Sequence, residues 1–187
     1  MKIFKDKNKL KNELENIKNI SFIPTMGGLH KGHISLIKKA NKFNGKTVVS
    51  IFVNPKQFNQ KKDFLRYPRN QKKDLQILKK HKVDVVFIPN FKDIFSFKTK
   101  HNIYLDNFSK KLCGKFRKGH FRGVINVMNR LMEIIKPKNI FMGKKDFQQI
   151  FLIKKFISKY KINTRIIECN TVREGNGVAC SSRNSLL

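Results

Sequence analysis

The chain has 187 residues, enough for one well-buried domain. Hydrophobic residues make up 40%, which is sufficient for a core, yet no apolar run reaches the ~18 residues of a membrane span. The formal net charge of +30 suits a polyanion such as nucleic acid, an acidic membrane or a nucleotide. It also suits compositional drift: eight of the 42 basic residues are arginine, the lysines are spread over the whole length, and the other abundant residue types also have A/T-rich codons. Nucleic-acid readers favour arginine at bidentate contacts, so drift is the better reading, with weak non-specific nucleic-acid binding as a by-product.

The N-terminus, MKIFKDKNKLKNELENIK, has no signal-peptide apolar region and carries Asp6, Glu13 and Glu15. A secretory signal or an acid-poor transit peptide is not expected, and residues 7–18 read as a surface helix. Strands are expected at 20–24, 47–53, 84–88, 139–142 and 164–168, and helices at 33–43, 70–82, 121–136 and 145–160. Continuous apolar runs such as VVSIFV suit strands buried on both faces. Their alternation with helices predicts a single α/β domain over 1–187: a doubly wound, Rossmann-like, mostly parallel sheet with helices on both faces. Ligands in such folds collect at the carboxyl ends of the strands. Cys113, Cys169 and Cys180 form an odd set without metal-ligand spacing, which fits a reducing cytoplasm.

The polar segments that follow the strands carry the chemistry. FIPTMGGLHKGHISL (22–36) ends a strand, turns through Gly27 and Gly28, and sets His30 and His33 where a helix begins. A helix N-terminus suits a phosphate, and two imidazoles three apart can face the same side. Protonated or donating hydrogen bonds, they would stabilise charge on a transferring phosphate. In VNPKQF (53–58), Asn54 and Pro55 turn the chain and Gln57 offers an amide for a hydroxy acid. LCGKFRKGHFRG (112–123) holds Arg117, His120 and Arg122, and is either an anion-binding loop or a solvated basic one. In GKKDFQQ (143–149), Lys145 suits phosphates and Asp146 a partner or metal ion; Gln149 shares a helical face with Lys145, whereas Gln148 and Gln149 cannot face one side together. TVREGNGVACSSRNS (171–185) brings Ser181, Ser182 and Arg183 into a plausible triphosphate clamp.

Five such segments in this order resemble the pantothenate synthetase (pantoate–β-alanine ligase) family. The strings are PTMGGLHKGH, VSIFVNPKQF, YPR (67–69), RKGHFRGV, GKKDFQQ and VREGNGVACSSRN, spanning about residues 20–185. The H-x-G-H loop is also shared by the wider nucleotidyltransferase superfamily. The resemblance implies ATP-dependent formation of pantoyl adenylate and pyrophosphate, then attack by β-alanine to give pantothenate and AMP. It implies that Met26, Gly27, Gly28, Leu29, His30, Lys31, Gly32 and His33 hold ATP, with His33 the proton donor and His30 on the phosphates. Gly143, Lys144, Lys145 and Asp146 would contact ATP, Lys145 stabilising phosphate charge; Val172, Cys180, Ser181, Ser182 and Arg183 complete the nucleotide contacts. Gln57 and Gln149 would hold pantoate, with Gln57 also near β-alanine, and Arg117 would stand close by. Mg²⁺ would accompany ATP, its protein ligand unassigned apart from Asp74 as a weak candidate. The resemblance further implies a homodimer, with neither a specific nucleic acid nor a membrane as partner.

Lys144 stands where the family has Glu, Lys118 where it has a loop Pro, Cys180 for Met, Asn170 for Pro and Gly28 for Ala. Family members run to ~280 residues, beyond the ~100–200 of one domain, through a smaller C-terminal domain that covers the site. Most of that lid is expected to be missing here, exposing the adenylate to water. Three readings follow: an active ligase, a remnant that binds ATP and pantoate with impaired turnover, and a basic nucleic-acid module.

Overall fold

The computed structural model describes residues 1–186. Among them, six strands form one sheet: β1 (Lys2–Phe4), β2 (Ile20–Thr25), β3 (Lys46–Ile51), β4 (Val85–Phe87), β5 (Asn139–Gly143) and β6 (Arg165–Cys169). Every pairing is parallel and the order is β1-β4-β3-β2-β5-β6. From β2 the chain winds outward through β3 and β4, then crosses back to lay β5 and β6 on the other side of β2. The switch point therefore lies above the carboxyl ends of β2 and β5, where a crevice opens by topology alone.

The strands alternate between two cores, as a period of two requires. Ile20 and Phe22 of β2, Val48 of β3, Val85 and Phe87 of β4, and Ile140 and Met142 of β5 join one core. That core is covered by α1 (Lys7–Leu14), α7 (His120–Ile135) and α8 (Phe147–Lys159). Ile23, Val49, Val86 and Phe141 face the other core, covered by α2 (Lys31–Ala40) and α4 (Gln71–Lys80) through Leu36, Ile37, Ala40 and Leu78. Burial on both faces is why these strands read as unbroken apolar runs.

The expected doubly wound sheet is present, and all five expected strands are found with shifted ends. The strand expected over 47–53 stops at Ile51, because Asn54 caps the 3₁₀ turn Pro55–Gln57 by accepting from the Lys56 N–H. The helix expected over 145–160 starts at Phe147, and Lys144–Asp146 forms a 3₁₀ turn instead. The helix expected over 7–18 ends at Leu14, that over 33–43 runs Lys31–Ala40, and that over 70–82 runs Gln71–Lys80. The helix expected over 121–136 is His120–Ile135. β1 went unread because it is three residues with little burial, held at the sheet edge by β4. The short helices α3 (Lys61–Arg66), α5 (Phe91–Phe95) and α6 (Cys113–Phe116) are too brief to show a period. Among the described residues no helix is long and apolar enough to cross a membrane.

One close approach sets the geometry of the crevice. A Cβ built on Gly123 of α7 would lie 2.1 Å from the Lys56 carbonyl oxygen, so the helix and the 55–57 turn touch backbone to backbone. Gly123→Ala is expected to cost about 1–3 kcal/mol through overpacking, read as a lower urea midpoint with unchanged slope; an unaltered midpoint would contradict this contact.

Candidate active site

The loop between β2 and α2 is built around a carboxylate from another helix. Asp74, buried in the first turn of α4, accepts the Gly28 N–H at 3.0 Å and the Leu29 N–H at 2.8 Å, one on each oxygen. Gly27 and Gly28 have φ of +79° and +62°, which favours glycine at both. A side chain on Gly27 would also meet Asp74 Oδ2 at 2.9 Å. The Gly27 N–H turns inward to Thr25 Oγ1 at 3.2 Å, and that hydroxyl donates to the Ser50 carbonyl at 2.7 Å. Both Asp74 oxygens are thus engaged by the loop. Asp74, the weak metal-ligand candidate, braces the loop and does not line the cleft.

The histidines cap α2. His30 Nδ1 accepts the Gly32 N–H at 3.1 Å, and His33 Nδ1 accepts the His30 N–H at 3.3 Å. With both Nδ1 atoms accepting, each neutral ring carries its proton on Nε2. The rings lie 4.1 Å apart. Burial, His30 and Lys145 push His33 down to about 3, and burial and Lys145 also lower His30 against the pull of Glu174. Of the two modes expected for this pair, the lowered proton affinity of both rings favours hydrogen-bond donation in the neutral form. The loop amides of Gly27, Gly28, Leu29, His30 and Gly32 are taken up by Thr25, Asp74, His33 and His30. These five amides are therefore already engaged and do not point free into the cleft.

Across the crevice, the buried Asn54 donates from Nδ2 to Gln57 Oε1 and to the Gly123 carbonyl, both at 3.1 Å. Gln57 Nε2 reaches Met26 Sδ at 3.0 Å, and His120 Nδ1–H donates to the Gln57 carbonyl at 2.6 Å. The Gln57 amide is thereby fixed, with its polar atoms at the cleft. Gln148 is buried and donates to the Phe108 and Lys111 carbonyls, while Gln149 lines the cleft, the separation expected of adjacent helical residues. Lys145 shares the cleft with Gln149, although it belongs to the 3₁₀ turn and not to a shared helical face. The floor is apolar: Phe52 with Val124, Val127, Met128 and Leu131 of α7, and among them the buried Ser50 hydroxyl, which makes no hydrogen bond.

The free interior is about 210 Å³. Lys145, Arg117 and Arg183 line it against a single carboxylate, Asp146, among the described residues. Lys145 Nζ donates to the Cys180 carbonyl at 2.9 Å. Burial, then the neighbouring Arg183, lowers Arg117, as expected where cations face one another across a cleft. Ser182 Oγ donates to the Gly28 carbonyl at 3.0 Å, which docks the C-terminal segment on the histidine loop.

Of the residues singled out in the sequence, Met26, His30, His33, Gln57, Arg117, Lys145, Asp146, Gln149, Ser181, Ser182 and Arg183 line one cleft. The others do not. Leu29 packs its side chain in the second core, Lys31 pairs with Glu174 at 3.5 Å, and the Val172 carbonyl accepts the Cys180 N–H. Gly27, Gly28 and Gly32 shape the loop, and Gly143 ends β5. Lys144 is exposed and absent from the lining. Sequence reasoning missed Phe58 and the buried Tyr67, which line the cleft, and Asp63, which holds Arg183. The only signal for Tyr67 was its place in the YPR string.

A doubly wound α/β domain whose switch-point cleft sets three cations and two neutral histidines beside an apolar floor is a domain made for an anionic substrate with an apolar part. The family profile described as "Pantoate-beta-alanine ligase" matches residues 2–187. The pantothenate synthetase of Pseudothermotoga lettingae is 44% identical over 179 residues, covering 96% of this chain and 64% of the relative. That of Francisella tularensis subsp. novicida is 45% identical over 182 residues, covering 95% and 69%. The crystal structure of pantoate-beta-alanine ligase from Francisella tularensis complexed with beta-gamma ATP and beta-alanine superposes with a TM-score of 0.93 at 43% identity, over 100% of this chain and 73% of that one. The pantothenate synthetase of Thermus thermophilus gives the same TM-score at 33% identity, over 100% and 68%. The chain belongs to the pantoate-beta-alanine ligase family, and spans roughly two thirds of its relatives' length.

The lowered affinity of His33 for a proton has a defined sign. The folded ring takes its proton near pH 3 and the unfolded one near 6.5, so the unfolded state binds more protons between these values. The His33 contribution to stability is complete above pH 6.5 and is lost as the pH falls toward 3. Thermal unfolding should show His33→Asn flattening the fall in Tm over that window, and nitrogen NMR should find His33 as the Nε2–H tautomer at about pH 6. A ring that titrates near 6.5 would remove this account.

Proposed function

We propose that residues 1–187 form the nucleotide- and pantoate-binding catalytic domain of an ATP-dependent pantoate–β-alanine ligase. The observation that carries this reading is the convergence of His33 and Lys145 with Gln57 and Gln149 in one cleft. Family membership and a relative crystallised with beta-gamma ATP and beta-alanine support it. The apolar floor of Phe52, Val124, Val127, Met128 and Leu131 suits a branched aliphatic acid, and the two glutamine amides suit its carboxylate and hydroxyls.

In this proposal ATP lies along the Met26–His33 segment, Gly143–Asp146, Val172 and Cys180–Arg183. A pantoate carboxylate oxygen, oriented by Gln57 and Gln149, attacks the α-phosphorus as the bond to pyrophosphate breaks. His30 and His33 donate from neutral Nε2–H groups, and Lys145 leaves the Cys180 carbonyl to follow the charge that builds on the phosphates. The neutral amine of β-alanine, held near Gln57, then attacks the acyl carbon; the acyl C–O bond breaks, AMP leaves with its electron pair, and the proton shed by the new amide nitrogen passes to solvent. Holding both nucleophiles against one electrophile supplies the proximity both steps need. No group of three or more His, Cys, Asp or Glu suited to a metal exists among the described residues. Mg²⁺ would enter with ATP as the Mg·ATP substrate, and Asp146 is the one carboxylate lining the cleft among the described residues that could meet it.

Pyrophosphate release is expected only when ATP and pantoate are both present, with pantothenate formed on addition of β-alanine. His33→Ala should slow adenylate formation by ~10²–10³, the scale of one lost transition-state donor. A folded sample that binds ATP without pantoate-dependent pyrophosphate release would refute the proposal, and a change below about threefold in His33→Ala would take that residue out of the chemistry.

A further inference from the structure

Arg183 is expected to meet phosphate, yet its guanidinium is already engaged. Its Nε donates to Asp63 Oδ1 at 3.1 Å and its Nη2 to Asp63 Oδ2 at 2.9 Å, a two-pronged fork on a carboxylate of α3. The plane is flanked by aromatic rings that also line the cleft, Tyr67 at 5.2 Å and Phe58 at 5.8 Å from the guanidinium carbon. Asp63 itself is not among the lining residues; it also favours the charged form of Arg117, the second arginine of the cleft. A carboxylate in this fork offers two oxygens much as a phosphate does.

We propose that Asp63 is a positioning residue that stands in for phosphate: it presets the Arg183 fork and is displaced by the pyrophosphate portion of a nucleotide or by pyrophosphate itself. The inference rests on the proposed function, since it takes the cleft to be a triphosphate site. Both partners are partly exposed, at 40% and 37%, so the exchange is finely balanced rather than prohibitive. An anion entering the cleft gains the guanidinium but must first release it from Asp63. An anion leaving is helped out as Asp63 re-forms the fork. Asp63 thus weakens the hold on pyrophosphate and speeds its departure, while a ligand without a β-phosphate feels neither effect.

The test is calorimetric titration of the full chain and of Asp63→Asn with pyrophosphate, a non-hydrolysable Mg·ATP analogue and AMP. Asp63→Asn should bind pyrophosphate and the analogue about twofold to fivefold more tightly, the worth of one partly exposed ion pair, with AMP unchanged. Asp63→Glu, which keeps a carboxylate, should stay near the parent value. Weaker or unaltered pyrophosphate binding in Asp63→Asn overturns the inference, as does an equal change for AMP, which marks a merely structural effect. Absence of analogue binding by the parent chain refutes the triphosphate reading, and the role of Asp63 falls with it. Should Asp63→Asn melt early, Asp63→Ser, which also removes the carboxylate, is titrated in its place with the same outcomes expected. In a chain that carries Arg183→Lys, which cannot form the fork, removing the Asp63 carboxylate should leave pyrophosphate affinity unchanged; a persisting difference overturns the inference.

Discussion

The site depends on the grip of Asp74 on the loop that follows β2. Two backbone amides that would otherwise point into the crevice are turned onto one buried carboxylate, and the charge is compensated where it lies. The loop can make this turn only through two residues with positive φ and without a Cβ at Gly27. Once it is made, α2 starts with its first residues at the switch point. His30 and His33 then take each other's backbone and neighbouring amides in a reciprocal cap. The position of the histidine pair is thus set from α4, outside the H-x-G-H string itself.

That placement determines the kind of chemistry available. The half-buried rings beside Lys145 have a lowered affinity for a proton, and with Nδ1 accepting their neutral forms carry the proton on Nε2, as the proposed donor role requires. Positive charge comes from longer side chains that are parked on the protein: Lys145 on the Cys180 carbonyl and Arg183 on Asp63. In the proposed reaction, neutral donors on a fixed loop and cations on long side chains would follow charge as it shifts along a phosphate chain. The overall charge of +30 has the same sign as the cleft, but the cleft owes its character to three particular cations set against one lining carboxylate among the described residues.

The alternation of apolar runs with helical stretches was enough to anticipate a doubly wound sheet, because burial on both faces forces that pattern on each strand. Met26, Gln57 and Lys145 were visible as polar or loop residues soon after strand ends, whereas Arg117, His120 and Ser181–Arg183 lie on segments that do not directly follow a strand. Some reasons changed. Lys145 lies in a 3₁₀ turn and Gln149 in α8, so they share the cleft without sharing a helical face, and the amides of Gly27, Gly28 and Leu29 are held by Thr25 and Asp74. Asp63 was unseen because α3 is too short to show a period, and Tyr67, just past its end, appeared only within the YPR string.

What the sequence determined by itself was local: where strands end, where helices start, and which polar residues those ends carry, all consequences of burial period and turn chemistry within a few residues. What only the tertiary structure decided was pairing over distance. Asp74 reaches the loop 45 and 46 residues before it, and Asp63 meets Arg183 across 120 residues. Such contacts arise from the order in which strands dock, with α2 and α4 sharing one face of the sheet, and no periodicity in a linear chain records that order.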